Sequence, residues 1–246
     1  MSTVELAYIQ VDYNTKLPIN ETAYCLWLGC QRLDIETQFF SFFSDIRDNL
    51  KPETLVHGYI SHVKSAIKCL GKQIPELSEV PPQIEPLFGR KTWTTTLGEI
   101  RKTSGPVFIK PLKAQKAFTG FVFNGTIPDL VALADHPDDM EVVASDPVSF
   151  VSEYRYFVHN QLMIGCRHYA GDFEIFPERR IAHEAIASFK NAPCGYSLDV
   201  GVTGGDGRTL IVEVNDAWAL GSYGMDPVLY TQMIVDRWVE MMHFIQ

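Results

Sequence analysis

The sequence predicts an α+β chain, and three observations lead to that prediction. Apolar and polar residues alternate through 152–168 and 196–216, as they do in paired strands. The stretches 177–189 and 227–244 are expected to be helices. A connector with four prolines, 74–86, separates all of them from an N-terminal region of mixed character.

The N-terminal region gives few signals of its own. A strand is expected at 6–13, and the segments 36–49 and 52–71 are candidates for helices. In the second segment Pro52 near the start and Gly71 at the end fit the usual limits of a helix. After the connector, the expected elements are a helix at 94–102, a strand at 106–111, a helix at 127–135 and a hairpin across Asn160-Gln161.

The composition argues against several classes of protein. Apolar residues make up 46% of the 246 residues and aromatic residues 12%, enough for a sizeable core. A net charge of −9 argues against a general nucleic-acid binder, because such proteins need a basic surface. No apolar run reaches the length of a membrane span, the start does not resemble a signal peptide, and the five cysteines are scattered. We therefore expect a cytoplasmic protein without a membrane partner.

The segment 196–216 is expected to be a hairpin that carries a metal site. Successive strand side chains point to opposite faces, so Asp199, Glu213 and Asn215 are expected to share one face. Two carboxylates and an amide oxygen on rigid strands suit a hard cation such as Mg²⁺. Ile211 is expected on this polar side, and the apolar side is expected to carry Leu198, Val200, Val202, Leu210, Val212 and Val214.

The register of this hairpin decides whether the two carboxylates meet. If Thr203 pairs with Thr209, Asp199 lies directly opposite Glu213. Two like charges across a sheet are destabilising, and a cation between them would remove the repulsion. Replacing Asp199 with Asn is then expected to preserve the metal-free fold or to stabilise it.

Several nucleotide-binding and catalytic motifs are absent from the sequence. It contains neither G-x-x-x-x-G-K-[ST] nor G-x-G-x-x-G, and it has no G-x-S-x-G elbow. What remains is an ordered series of charged and polar residues: Lys110 at the end of VFIKP, Lys113, Lys116 and Gly120 in a polar stretch, Glu153 and Arg155 in DPVSFVSEYRYFV, Arg167 on the next strand, and then Asp199, Glu213 and Asn215.

This order resembles the ATP-grasp superfamily over about residues 88–246. The E-V-N sequence that ends at Asn215 is the most specific part of the resemblance. The chain is most similar to a compact clade of that superfamily named for two arginines and a lysine, which would be Arg155, Arg167 and Lys110. The resemblance implies an ATP-grasp fold of two α/β lobes with ATP between them, preceded by a small α/β domain at 1–87.

The resemblance also implies roles for individual residues. The residues expected to bind the nucleotide are Lys110, Lys116, Asp146, Val148 and Glu153, with the lysines at the phosphates and Glu153 at the ribose. The residues expected to be catalytic are Arg155, Arg167 and Lys110, and those expected to hold Mg²⁺ are Asp199, Glu213 and Asn215. The stretch 113–121 has fewer glycines than the usual phosphate loop, so side chains such as Lys116 are expected to replace backbone amides there.

The implied activity is that of a ligase that uses ATP and Mg²⁺ to join a carboxylate to an amine through an acylphosphate. The carboxylate is expected on a small molecule or a peptide, with a separate amine donor, and the oligomeric state is left open. From the residues alone two other functions remain: a phosphotransferase of the same fold, and a nucleotide-binding module without turnover.

Most of these residues also have a purely structural interpretation. Lys110 follows three apolar residues, as does a lysine at a sheet edge whose charge reaches solvent. Glu153 is a candidate ion-pair partner of Arg155, and both Arg155 and Arg167 are candidates for structural ion pairs. Arg90 and Lys91 are further candidates for a phosphate contact.

Overall fold

The computed structural model of the chain describes residues 4–78, 80–112 and 117–243. Their strands form three separate sheets, one in an N-terminal unit (residues 4–69), one in a first lobe (92–145) and one in a second lobe (150–216). No helix within the described ranges is both long and apolar enough to cross a membrane.

The N-terminal unit is a parallel three-stranded sheet flanked by two helices. Its elements are β1 (Leu6–Gln10), α1 (Glu21–Arg32), β2 (Glu36–Phe40), β3 (Thr54–His57) and α2 (Ile60–Cys69), with strand order β2-β1-β3. The Asn20 side chain accepts a hydrogen bond from the backbone N–H of Ala23 at 2.9 Å and so caps α1.

Local sequence patterns predict this unit poorly. The expected helix at 36–49 is wrong, because residues 36–40 form β2 and the remainder contains two short 3₁₀ turns. Pairing of β2 with β1 in parallel decides the conformation, and such long-range pairing is not visible in a local pattern. The segment 52–71 divides into β3 and α2, and α1 was not expected at all.

The C-terminal helix α6 (Pro227–His243) completes the core of the N-terminal unit. Leu26 of α1 and Leu55 of β3 belong to the same buried cluster as Tyr230 and Trp238 of α6. The indole N–H of Trp238 also donates to the carbonyl of Pro52 at 3.1 Å. The two ends of the chain therefore share one hydrophobic core.

The first lobe is built on an antiparallel sheet. Its elements are β4 (Thr92–Thr96), α3 (Leu97–Ile100), β5 (Val107–Pro111), β6 (Phe121–Phe123), α4 (Ile127–Ala132) and β7 (Glu141–Ser145), with strand order β4-β7-β5-β6. The strand and the second helix expected here are confirmed by β5 and α4. The expected helix at 94–102 is helical only over α3, because its β-branched threonines pair with β7 as a strand.

The second lobe is a second antiparallel sheet with a helix on one face. Its elements are β8 (Phe150–His159), β9 (Leu162–Gly171), α5 (Arg179–Ser188), β10 (Gly195–Thr203) and β11 (Thr209–Asp216), with strand order β11-β10-β8-β9. The expected hairpins and helices of this part are confirmed, including the helix after Pro227. Ala182 and Ala185 of α5 pack against Leu198 and Val200 on one face of the sheet, which leaves the other face for polar residues.

The last hairpin differs by one residue from the expected register at its turn. Val202, not Thr203, lies opposite Thr209. An uninterrupted ladder in that register would place Asp199 opposite Val212, but the register shifts between residues 199 and 200. Asp199 consequently lies opposite Glu213, as the sequence predicts, although for a different reason.

The register shift is a β-bulge in which Val212 is the extra residue. Ile211 is fully buried in the core beneath α5, whereas Val212 lies on the wall of the cavity between the lobes. The expected assignment of these two side chains to the faces of β11 is therefore wrong. The bulge turns Val212 and Glu213 toward the same cavity.

Arg90 holds the bulge in place from the segment that enters the first lobe. Its guanidinium donates to the carbonyls of Ile211 at 2.8 Å, Val212 at 2.7 Å and Phe88 at 3.2 Å. The bulged carbonyls thereby gain charged donors that a regular ladder would not supply. Because its donors bind the backbone, Arg90 is a structural residue in this conformation and not a phosphate ligand.

Replacing Arg90 with Ala is expected to lower the free energy of unfolding by about 2–3 kcal/mol, because carbonyls at the bulge lose a charged donor. Urea unfolding followed by circular dichroism measures this loss. Arg180→Ala is the control, since the Arg180 side chain is 71% exposed and its surface ion pairs are worth under about 1 kcal/mol. Equal losses for the two variants would contradict the role assigned to Arg90.

Candidate active site

A cavity of about 350 Å³ lies between the sheets of the two lobes. Its apolar wall includes Phe88, Phe108, Phe121, Val143, Phe150 and Val212. Five residues expected at a nucleotide or metal site also line it: Lys110, Asp146, Val148, Glu153 and Glu213. Residues that lie up to 103 positions apart in the sequence thus meet at one cavity, which has the size of a small-molecule site.

Lys110 reaches from the first lobe to the second. It lies near the end of β5, and its Nζ is 3.3 Å from Oε2 of Glu213 on β11. The side chain is 23% exposed, so it is not a lysine whose charge extends into solvent. The structural interpretation of Lys110 as a sheet-edge lysine is therefore wrong. The charge of Lys110 faces the cavity from one lobe, and the carboxylate of Glu213 faces it from the other.

Asp146 ties the segment between the lobes to the start of β4. Its carboxylate accepts the backbone N–H of Lys91 at 3.1 Å, and its own N–H donates to the carbonyl of Lys91 at 3.1 Å. The ammonium of Lys91 lies 5.3 Å from the centroid of the Trp93 ring. These two backbone bonds fix the part of the connecting segment that carries Asp146 and Val148 to the cavity wall.

Glu153 is held by an aromatic partner that the sequence analysis did not identify. The hydroxyl of Tyr169 donates to Oε2 of Glu153 at 2.7 Å. Burial raises the pKa of Tyr169, and the neighbouring carboxylates raise it further, so the hydroxyl stays a donor. The expected alternative, an ion pair of Glu153 with Arg155, is wrong because Arg155 binds Asp199. Tyr169 lies two residues beyond Arg167 on β9, a spacing that would have pointed to it.

Arg155 and Asp199 form a buried bidentate ion pair. They are opposite each other on β8 and β10, with Nε to Oδ1 at 2.7 Å and Nη2 to Oδ2 at 2.6 Å. The two side chains are 10% and 1% exposed. Nη2 also lies 3.9 Å from Oε1 of Glu213. The positive charge expected between the two carboxylates is therefore supplied by Arg155 in the metal-free chain.

This pair revises the expected effect of Asp199→Asn on the metal-free protein. Burial raises the pKa of Asp199 to about 6, with Arg155 acting in the opposite direction and Glu213 in the same one. The Arg155 pKa is raised by Asp199 although burial works against it. An Asn at position 199 would leave this guanidinium buried without a carboxylate, which destabilises a protein instead of stabilising it.

Glu213 and Asn215 complete the polar cluster on β11. The amide Nδ2 of Asn215 donates to Oε1 of Glu213 at 2.9 Å and to Oδ2 of Asp199 at 3.4 Å. Burial opposes ionisation of Glu213, but the charge of Lys110 and the hydrogen bond from Asn215 outweigh it and lower the Glu213 pKa. The three expected metal ligands thus lie together as a set of two carboxylates and one carboxamide. Elsewhere in the described residues no cluster of three or more His, Cys, Asp or Glu is arranged for a metal.

Arg167 lies beside Arg155 on the neighbouring strand and is held by backbone carbonyls. Its Nε donates to the carbonyl of Gly224 at 2.9 Å and its Nη1 to that of Cys166 at 2.8 Å. It pairs with no carboxylate in the described part of the chain, so the structural ion-pair alternative is wrong for Arg167. For Arg155 that alternative is correct in the metal-free conformation.

Tyr223 is a second aromatic residue that the sequence analysis treated as packing. The guanidinium of Arg155 lies 4.7 Å from the centroid of its ring and 5.7 Å from that of Tyr169. The backbone of Tyr223 is left-handed, with φ of 49°, in a segment that also supplies the Gly224 carbonyl to Arg167. Residues held in that region often belong to functional sites. The expected phosphate ligand Lys116, and Lys113, lie outside the described residues.

Known structures with the same architecture include three nucleotide complexes. D-alanine–D-alanine ligase from Bacillus anthracis complexed with ATP matches with a TM-score of 0.55 and 14% identity, covering 96% of this chain and 97% of that one. The ATP-grasp ligase PsnB, complexed with precursor peptide PsnA2 and AMPPNP, matches at 0.51 and 10%, covering 96% and 98%. N5-carboxyaminoimidazole synthase from Aspergillus clavatus, in a complex that contains ADP, matches at 0.58 and 12%, covering 96% and 78%. At these identities the likeness shows the fold.

A search of curated protein sequences gave no match. The model of an ATP-grasp domain family, the second family of the clade named for two arginines and a lysine, matches residues 87–233, which is more than half of the chain. The match contains both lobes and the three charged residues that face the cavity and the polar cluster, Lys110, Arg155 and Arg167. The chain therefore has the ATP-grasp fold and belongs to this clade of ATP-grasp proteins.

Proposed function

We propose that this protein is an ATP- and Mg²⁺-dependent ligase that joins a carboxylate to an amine through an acylphosphate. The observation that carries the proposal is the meeting of Lys110 with Glu213, Asn215, Asp199 and Arg155 at the cavity between the lobes. A lysine and two arginines beside a cation-binding set are suited to phosphoryl transfer, which depends on positioning and on neutralising charge.

The cavity fits a nucleotide by the chemistry of its walls. Aromatic and branched side chains, among them Phe88, Phe108 and Val212, suit the flat faces of adenine. Glu153, oriented by Tyr169, offers a carboxylate to the ribose hydroxyls. Lys110 offers a point charge to the phosphates, and we assign Lys116 the same task from the family resemblance.

The polar cluster fits a divalent cation by its donor set. Glu213 and Asn215 would hold Mg²⁺ with Asp199 as the third ligand, and the ion would neutralise charge on the phosphates during the transfer. Asn215 must then present its oxygen, since its NH₂ group points at Glu213 in the metal-free conformation. Ligation by Asp199 requires Arg155 to give up at least one of its two hydrogen bonds to that carboxylate.

The proposed reaction has two steps. A carboxylate oxygen of the substrate attacks the γ-phosphorus of ATP, the bond from that phosphorus to the bridging oxygen breaks, and ADP leaves. The amine nitrogen then attacks the acyl carbon, the carbon–oxygen bond to phosphate breaks, and phosphate leaves with the proton lost by the amine. Lys110, Arg155 and Arg167 would stabilise the negative charge of both transition states.

Product analysis tests the reaction class. The protein is incubated with ATP, Mg²⁺ and a mixture of carboxylic acids and primary amines, and the products are examined by mass spectrometry and phosphorus NMR. An amide formed together with ADP and inorganic phosphate is expected. A stable phosphate ester would show a phosphotransferase instead, and ATP binding without any turnover would show a nucleotide-binding module.

Replacing Lys110 with Ala is expected to remove most of the increase in melting temperature caused by ATP and Mg²⁺. A ligand that binds only the folded state stabilises it by mass action, so lower affinity gives a smaller shift. Differential scanning fluorimetry at millimolar ATP measures the effect. Lys102→Ala is the control, because Lys102 is a lysine 73% exposed in its side chain and paired with Glu99 on the surface of the same lobe. A full shift in Lys110→Ala would overturn its assignment to the phosphates.

Replacing Glu213 with Gln is expected to weaken Mg²⁺-dependent ATP binding at least about tenfold while the fold persists. The change removes a charged ligand of the proposed cation, yet the side chain is 34% exposed, so the amide remains partly solvated. Isothermal titration calorimetry of an ATP analogue, with and without Mg²⁺, measures the affinity. Asp206→Asn is the matched control in the turn of the same hairpin. If both variants bind as the unaltered protein does, Glu213 is not a metal ligand.

A further inference from the structure

An exposed aromatic groove lies on the N-terminal unit, outside the cavity between the lobes. Its volume is about 400 Å³, and we define it by Leu17, Tyr24, Trp27 and Phe39 with Lys16 and Glu21 at its rim. Leu17, Tyr24 and Phe39 are 65%, 50% and 49% exposed. The Trp27 ring contacts both Tyr24 and Phe39, with centroid distances of 5.6 and 6.1 Å.

This groove is larger than the scattered exposed apolar residues of an ordinary surface. Phe39 lies on β2, the outer strand of its sheet, and no described strand pairs with the far edge of β2. A second exposed aromatic pair, Tyr13 and Phe42, lies 5.4 Å apart on the neighbouring loops. A contiguous apolar surface with a polar rim is typical of a binding site.

The groove is connected to the face of the sheet that carries the arginines. Thr22, next to Glu21 at the start of α1, accepts the backbone N–H of Ser222 at 3.1 Å. The Glu21 carboxylate lies 3.9 Å from the position that a β-carbon on Gly224 would take. The Gly224 carbonyl binds Arg167, and the adjacent Tyr223 ring stacks on Arg155. Only this short segment therefore separates the rim at Glu21 from the proposed site of ligation.

The charge at this rim indicates which end of a ligand faces the site. Glu21 is a carboxylate between the apolar groove and Arg167, and an ammonium group is its natural partner. A ligand with its ammonium group at Glu21 and an apolar side chain on Trp27 would extend away from the site, over the exposed aromatic residues. A peptide with a free amino end has this distribution of charge and apolar surface.

We propose that the aromatic groove binds the amino-terminal end of a peptide whose first residue is aromatic or large and aliphatic, and that this peptide is the amine donor. The assignment rests on the proposed function, because it names the amine substrate of that reaction. It places the carboxylate substrate by the arginines and the peptide amine by Glu21, on the two sides of the Tyr223–Gly224 segment.

Binding of three synthetic peptides to the full chain tests this proposal. The probes are Phe-Ala-Ala-amide, Gly-Ala-Ala-amide and N-acetyl-Phe-Ala-Ala-amide, titrated by calorimetry with the ATP analogue and Mg²⁺ present and absent. Phe-Ala-Ala-amide is expected to bind at least about tenfold more tightly than the glycine peptide, since it buries an aromatic ring. It is also expected to bind more tightly than the acetylated peptide, and Glu21→Gln should remove that second difference.

Two variants place the binding on the groove. Phe39→Ala is expected to weaken binding of Phe-Ala-Ala-amide at least about fivefold, and Phe173→Ala, which removes a 66% exposed phenylalanine from a different surface, should leave it unchanged. Equal binding of the phenylalanine and glycine peptides, equal binding of the acetylated peptide, or unchanged binding in Phe39→Ala would overturn the proposal. A dimer in sedimentation that Phe39→Ala dissociates would show a second copy in the groove and overturn it as well.

The stabilisation by ATP and Mg²⁺, measured in the same variants, separates this proposal from the proposed function. If Phe39→Ala keeps the full ATP shift but no peptide binds, the peptide assignment fails and the nucleotide site stands. If the peptides bind as expected but ATP gives no shift, the groove is real and the ligase proposal fails.

Discussion

The buried pair of Arg155 and Asp199 is the interaction on which the arrangement of the site depends. It joins β8 to β10 at the centre of the second-lobe sheet and brings a guanidinium within 3.9 Å of Glu213 on β11. Without it, two carboxylates would lie opposite each other in a buried position, an arrangement that costs stability. The rest of the site follows from this point: Asn215 bonds to both carboxylates, and Lys110 reaches Glu213 from the other lobe.

The same pair links the fold to the proposed chemistry. A divalent cation and the Arg155 guanidinium compete for the oxygens of Asp199, so binding of the metal would release part of the arginine toward the cavity. Tyr223 and Tyr169, whose rings flank the guanidinium, can retain it near the site after such a movement. In this account Arg155 stabilises the apo protein and becomes available to substrate phosphates once the metal takes its place.

The sequence predicted the site better than it predicted the N-terminal unit, for physical reasons. The strands of the second lobe pair with their neighbours along the chain, so alternation alone identified them and brought Arg155, Arg167 and the metal set onto one face. In contrast, β2 is a strand only because it pairs with β1 across α1, a contact without a local signature. The bulge at Val212 was equally hidden, since Ile211 and Val212 are alike in hydrophobicity and only the packing decides which is buried. The identity of the cation between the carboxylates was missed because Arg155 was considered as a partner of Glu153 or of phosphate, not of Asp199.

A double-mutant cycle on the metal-free protein tests the central claim most directly. Arg155→Met and Asp199→Leu each leave a buried charge unpaired, so each is expected to lower the free energy of urea unfolding by about 3–5 kcal/mol. The double variant contains neither charge and is expected to lose at least about 2 kcal/mol less than the sum of the two single losses. Losses that simply add, or a gain in stability for Asp199→Leu alone, would contradict the account in which Arg155 neutralises this site.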